Sequence, residues 1–213
     1  QPADIRGKSM KVAVVFYSMY GHMYKMALAA AEGAKSSGAD VKLLRIAETL
    51  SAELLSITHS IEAQKAFAGV TLVTPEDLEW ADGIIFGVPT RFGNMPSQVA
   101  AFFDSTGPVW ARGGLVGKVG SVMSSSATQH GGAVTTIQHV HSTLLAHGMI
   151  VAGLPYAKYP PLFDTTEVNG GSVFGATAIA GGDGARMPSG HELGAAKAQG
   201  AWIAELAGRL SKK

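Results

Sequence analysis

Lys11-Val12-Ala13-Val14-Val15-Phe16-Tyr17 runs without a break into Ser18-Met19-Tyr20-Gly21-His22-Met23, and that joint decides the fold. After Lys11 the first stretch is β-branched, aromatic or small. A half-exposed strand would alternate polar and apolar residues, so this run predicts a strand buried on both faces of a parallel sheet. Beyond the joint, Met23, Met26, Ala27, Ala30, Ala31 and Ala34 recur at helical spacing until Gly38. A buried strand feeding directly into a helix is the start of a βαβ unit.

The alternation repeats outward. Val41–Ile46 predicts a second strand, Leu50–Phe67 a mixed, largely helical insertion, and Pro75–Trp80 a short helical turn. Gly83–Val88 reads as another buried strand, and Pro96 opens a helix through Val99–Asp104. Lys118–Ser125 is a fourth strand, Ala133–Leu145 a helix and Met149–Ala152 a fifth strand. Ser189 with Glu192 three residues on is a capping box for a last helix. Its apolar stripe is Leu193, Ala196, Trp202, Ile203, Leu206 and Leu210, which places Trp202 in the core. The expected class is α/β: a doubly wound five-stranded parallel sheet, helices on both faces, with an irregular insertion before the last helix. Pro155–Pro188, glycine-rich and almost aperiodic, reads as an elaboration rather than core. Residues 10–213 read as a single domain, and 1–9 as a leader or tag remnant.

Composition removes several classes of function. With 17 Lys+Arg against 16 Asp+Glu, the chain lacks the basic excess of a nucleic-acid binder. The absence of Cys excludes disulfide frameworks, thiolate zinc sites and cysteine nucleophiles. Val119–Ala157 contains no Asp, Glu, Lys or Arg over 39 residues, but Ser124–Gly132 interrupts it with hydroxyls and amides. It is therefore not a membrane span, which needs about 20 consecutive apolar residues. Gln1–Ser9 has no apolar h-region, and the reading is a cytoplasmic protein. Glycine is skewed too, with 5 of 27 before residue 81, and the neutral, glycine-rich half predicts an oligomer whose surface is covered by its own copies.

In such a sheet ligands sit beyond the carboxyl ends of the strands. Ser18–Met23 enters a helix there, and a helix N-terminus with hydroxyls nearby is an anion site. No Lys or Arg is present, and neither G-x-x-x-x-G-K-[ST] nor G-x-G-x-x-G occurs, so a phosphate would be held by dipoles. The plain alternative is a strand–helix turn capped by Ser18. Pro89-Thr90-Arg91-Phe92-Gly93-Asn94-Met95-Pro96 is a stiff loop suited to stacking on a planar ring. Arg91 is the only charge between Asp82 and Asp104, which points it at a ligand or another subunit. Ser124–Gly132 is a third, uncharged loop. Together the three suit a planar phosphorylated cofactor. His139 and His141, two apart on a helix, point to different faces and make no metal site.

Tyr17–His22 (Y-S-M-Y-G-H), Pro89–Met95 (P-T-R-F-G-N-M), Trp110-Ala111 and Gly175–Arg186 (G-A-T-A-I-A-G-G-D-G-A-R) resemble, in order, the WrbA family. These are flavodoxin-like, FMN-dependent NAD(P)H:quinone oxidoreductases, once called tryptophan-repressor-binding proteins, and the resemblance runs from Met10 to the last helix. It implies FMN as cofactor, NADH or NADPH as co-substrate, a quinone substrate and a homotetramer with sites completed by neighbouring subunits. Ser18, Met19, Tyr20, Gly21, His22 and Met23 match the phosphate loop, Tyr20 also the nicotinamide contact. Thr90, Arg91 and Phe92, flanked by Pro89, Gly93 and Asn94, match the loop against the isoalloxazine. Ser125, Ser126, Ala127, Thr128, Gln129 and His130 take the place of the second flavin loop, and Trp110 that of an aromatic over the substrate pocket. The implied chemistry is ping-pong hydride transfer through flavin N5, giving two-electron reduction of quinones to hydroquinones, with no catalytic acid or base required.

Two departures stand out. The family's second loop is typically S-T-G-T-G-G, and the bulkier residues of 125–130 would narrow the pocket or re-route the loop. The family's L-A-H-H-G-M is here Leu144-Leu145-Ala146-His147-Gly148-Met149, with Ala146 in place of the histidine described as touching flavin. A flavodoxin-type electron carrier without its own turnover is the rival reading, but such carriers are usually shorter and strongly acidic. A third, a regulatory partner of a DNA-binding repressor, has no support in charge or motif.

Overall fold

The computed structural model describes residues 9–211, so all of the expected leader at 1–9 except Ser9 lies outside the described residues. Five strands form a parallel sheet in the order β2-β1-β3-β4-β5: β1 (Lys11–Phe16), β2 (Asp40–Arg45), β3 (Gly83–Pro89), β4 (Val119–Ser126) and β5 (Ile150–Val151). Every residue of β3 and β4 is buried, which accounts for their unbroken apolar and small-polar sequences.

Helices cover both faces. On one, α1 (His22–Ser36) and α8 (Gly190–Leu210) pack Met23, Met26, Ala30 and Ile203 against Val12, Val14 and Phe16. On the other lie α4 (Pro75–Trp80), α5 (Ser97–Ser105), α6 (Gly107–Ala111) and α7 (Ala133–Ala146), with Leu78, Val99, Val109 and Ile137 over Ala13, Val15 and Phe86. The insertion after β2 holds two short helices, α2 (Ala52–Ile57) and α3 (Ile61–Lys65), neither with a buried residue.

The segment 155–188 corrects the expectation that it lies outside the core. It contains β6 (Thr177–Ile179), fully buried and parallel to the end of β4, with Ser124 paired to Thr177 and Ser126 to Ile179. β5 pairs instead with the start of β4, at Val119 and Gly120. The two short strands share one line, parted by an excursion through residues 152–176. Between them the middle of β4 has no strand neighbour on the side away from β3, and Gln199 of α8 fills the gap. Its amide donates to the Val122 carbonyl at 3.0 Å and to Ser121 Oγ at 2.7 Å, and its oxygen accepts from the Ala176 N–H at 2.6 Å. Gln199 has no solvent exposure, so these bonds remove an otherwise costly set of unpaired groups.

The α1–α8 contact explains two glycines. A Cβ at Gly33 would stand 1.9 Å from the Lys197 carbonyl oxygen, and one at Gly200 1.9 Å from that of Ala30. The helices meet main chain to main chain, and α8 buries Ala195, Ala204 and Ala207 together with Ala196 and Ile203 of its expected stripe, while Leu193, Trp202 and Leu206 are only partly covered. Leu210 is exposed, and Trp202 is half-buried beneath Lys158, whose ammonium lies 4.5 Å from the ring, rather than in the core.

Candidate functional site

A cleft of about 360 Å³ opens at the carboxyl ends of β1, β3, β4 and β6. Ser18, Met19, Tyr20, His22, Met23, Pro89, Thr90, Arg91, Ser125, Ser126 and Ala127 line it, so the three loops singled out in the sequence converge. Gly21 caps α1 at φ 91°, a left-handed conformation that glycine adopts freely, and its N–H donates to Ser18 Oγ at 3.1 Å. No side chain caps the helix, so its first N–H groups are open to an anion in the cleft.

The loop floors are fixed from beneath. Tyr17 precedes Ser18, and its hydroxyl donates to Glu48 at 2.8 Å. Glu48 also accepts from Gln98, Gln64 and the Thr49 and Leu50 N–H groups. Burial alone would raise the Glu48 carboxyl, but these bonds outweigh it and hold it below its ordinary range. Burial, then the bond to Glu48, pushes the Tyr17 phenol up. Thr90 Oγ1 takes the Thr136 hydroxyl at 2.8 Å and the Gly93 N–H at 3.1 Å, pinning the β3 loop to α7. Arg91 donates to its neighbour's carbonyl, Thr90 O, and reaches Met19 Sδ at 3.1 Å, across the mouth from β3 to β1.

Other expected residues sit apart from the lining. Arg91 and Asn94 close a tight turn by paired backbone bonds of 2.7 and 2.9 Å, which projects Phe92, fully exposed, into solvent with Gly93 beside it. Thr128, Gln129 and His130 are exposed outside the cleft, while Gly131 behind them lines it. Trp110 lies where β4 begins, at the far end of the sheet, 60% exposed. His147 is there too, buried, with Nε2 3.0 Å from Thr106 Oγ1.

The sequence reading left out one wall, Ala180-Gly181-Gly182-Asp183-Gly184. Its signal was present in the G-G-D-G motif, but the three-residue strand before it was too short for periodicity to reveal. His22, 5% exposed, faces the Gly184 and Arg186 carbonyls. Burial holds its imidazole below the ordinary range, although those carbonyls favour the charged ring.

An uncapped helix N-terminus, hydroxyls from Ser18 and Ser125, and a lining whose only charged residues are Arg91 and Asp183 fit a phosphate ester joined to a flat, uncharged ring system. Sheet order and cleft position together define a flavodoxin-like protein. The chain belongs to the NADPH-dependent FMN reductase family, whose family model matches residues 10–158, and within it to the WrbA group its motifs resemble. An NAD(P)H dehydrogenase (quinone) of Geobacter metallireducens is 52% identical over 94% of this chain and 99% of its own. One from Solidesulfovibrio magneticus is 54% identical over the same shares. Among solved structures, a WrbA-like flavodoxin from Agrobacterium tumefaciens is 25% identical with TM-score 0.64, covering 94% of this chain and 99% of its own. Among the described residues no helix is long and apolar enough to cross a membrane.

Proposed function

We propose that this chain reduces quinones to hydroquinones with NADH or NADPH, through FMN held in the cleft. The observation that carries the reading is the convergence of the Ser18–Met23, Pro89–Arg91 and Ser125–Ala127 loops on one nearly uncharged cleft at an open helix N-terminus. When bound, FMN supplies a two-electron acceptor and donor that alternates between nicotinamide and quinone.

The residues bind and orient. The first turn of α1 would take the phosphate on main-chain N–H groups, with Ser18 and His22 beside it. Thr90, Arg91, Ser125, Ser126 and Ala127 would hold the ring. Tyr20, 40% exposed at the mouth, would meet the nicotinamide. Phe92, Gly93, Asn94, Thr128, Gln129 and His130 would bear on it as the rim of the two ring loops. No acid or base is needed in the lining, because a hydride equivalent and one proton, which water can supply, complete the reduction of a quinone.

A homotetramer completes the assembly in this reading. Trp110, Val116, Leu145 and Ile150 form an exposed apolar patch at the end of the sheet remote from the cleft, and the outer face of α7 carries no Asp, Glu, Lys or Arg. A neighbouring copy seated there would set Trp110 over another subunit's cleft. The cytoplasm, where reduced nicotinamide nucleotides are available, is the compartment this activity requires. The test is NADH oxidation by the FMN-treated protein with and without benzoquinone. Quinone-dependent turnover with one FMN per chain is expected. Failure to take up FMN, or uptake without turnover as in an electron carrier, overturns the reading.

A further inference from the structure

The wall at Ala180–Gly184 contains three glycines and therefore little side-chain packing of its own to hold it in place. Hydrogen bonds fix it instead. The Ala180 and Gly181 N–H groups donate to the Ser126 and Ala127 carbonyls at 2.8 and 3.0 Å, and the Arg186 N–H closes the loop on the Ala180 carbonyl at 3.0 Å. The Arg186 side chain then anchors the loop to α8. Its Nη1 donates to both Glu192 oxygens, at 3.0 and 2.9 Å, and to the Ile179 carbonyl, while Nη2 donates to the Val168 carbonyl at 3.1 Å.

Glu192 has no solvent exposure and collects the surrounding main chain. Oε1 accepts from the Gly170 and Ile179 N–H groups at 2.8 and 3.0 Å, and Oε2 from the Ser189 N–H at 2.7 Å. A capping box needs only the last of these bonds. The others join the excursion, β6 and the wall in one knot. The Arg186 guanidinium commits Nη1 to Glu192 and the Ile179 carbonyl and Nη2 to the Val168 carbonyl. Arg186 therefore serves to shape the wall.

We propose that Glu192 is a positioning residue for the phosphate end of the cleft, holding Ala180–Gly184 through Arg186 beside the first turn of α1, so that the chain selects FMN over riboflavin. This rests on the FMN reading above. Gly184 and His22 line the cleft together at the helix N-terminus, and Ala180 and Gly181 stay held on Ser126 and Ala127 by their own N–H groups, so loss of the Glu192 anchor is felt first by the phosphate.

The test is a fluorescence titration of the intact protein with FMN and with riboflavin, for the unaltered chain, Glu192→Gln and Arg186→Lys, each shown folded by circular dichroism. General damage weakens both flavins together, so the ratio of the two affinities is the readout. Glu192→Gln is expected to lower FMN affinity at least tenfold with riboflavin affinity within twofold. Arg186→Lys, which keeps the charge but loses the fork, is expected to lower FMN affinity at least threefold with the same selectivity. Unchanged FMN affinity, or parallel loss of both flavins, overturns the proposal. If Glu192→Gln does not fold, Arg186→Lys decides by the same criteria. An unaltered chain that binds neither flavin would instead overturn the FMN reading itself.

Discussion

The Trp110 indole N–H donates to the Ala146 carbonyl across 3.0 Å, at the end of the sheet opposite the cleft. The two positions that the family resemblance ties to the flavin pocket are therefore neighbours, and both are remote from this chain's own site. In the tetramer proposed above, both would face another copy.

Trp110 is largely exposed and makes this one side-chain hydrogen bond, so Trp110→Ala should cost the fold about 1 kcal/mol or less. FMN content should stay the same while turnover with benzoquinone falls. Steady-state rates equal to those of the unaltered enzyme would remove Trp110 from the site.

Gly200→Ala places a methyl group 1.9 Å from the Ala30 carbonyl oxygen, a backbone atom that cannot move aside cheaply. Overpacking of this kind costs roughly 2–3 kcal/mol, or about 5–10 °C in thermal midpoint at this length. Gly190→Ala, whose Cβ meets nothing within 4 Å, should unfold within about 2 °C of the parent in the same melt.

Gln199→Leu keeps the bulk and removes three buried hydrogen bonds. The Val122 carbonyl and Ala176 N–H would be left without partners, for a loss of about 2–5 kcal/mol. Urea unfolding should show a lower midpoint with the slope unchanged.

His22, His141 and His147 are each held below the ordinary imidazole range by burial. The unfolded chain therefore binds more protons than the folded one as pH drops below about 6.5, and stability present above that value is lost as pH falls through the folded values. The slope approaches about 1.4 kcal/mol per pH unit for each group. Denaturation between pH 8 and 5 should show the decline, and His147→Gln, which keeps a donor near Thr106, should flatten it.

The five parallel strands and three of the cleft's four walls were legible in the sequence because β3 and β4 are buried throughout, β1 in all but Lys11, and each runs straight into a loop with distinctive chemistry. β6 was hidden since three residues cannot display a period and Gly175 and Gly181 close in on it from either side. Ser189 and Glu192 announced a helix start, but nothing in their spacing tells that the same carboxylate also holds Arg186, Gly170 and Ile179. The outer stripe of α8 misled because a helix that packs by small residues carries its large ones on the flanks, as Trp202 and Leu210 do. Trp110 read as a pocket residue through resemblance, and in the fold it lies at the opposite end of the sheet from the cleft.

Gly33 and Gly200 have a further consequence. α1 begins at the phosphate loop and α8 begins at the Glu192 knot, and the two helices touch with no side chain between their backbones. The gap between these two starting points is thus gauged by peptide geometry alone. Substitutions elsewhere on either helix can accumulate without resetting it, so the cleft can change its rim, and with it the molecules it admits, while keeping its calibre.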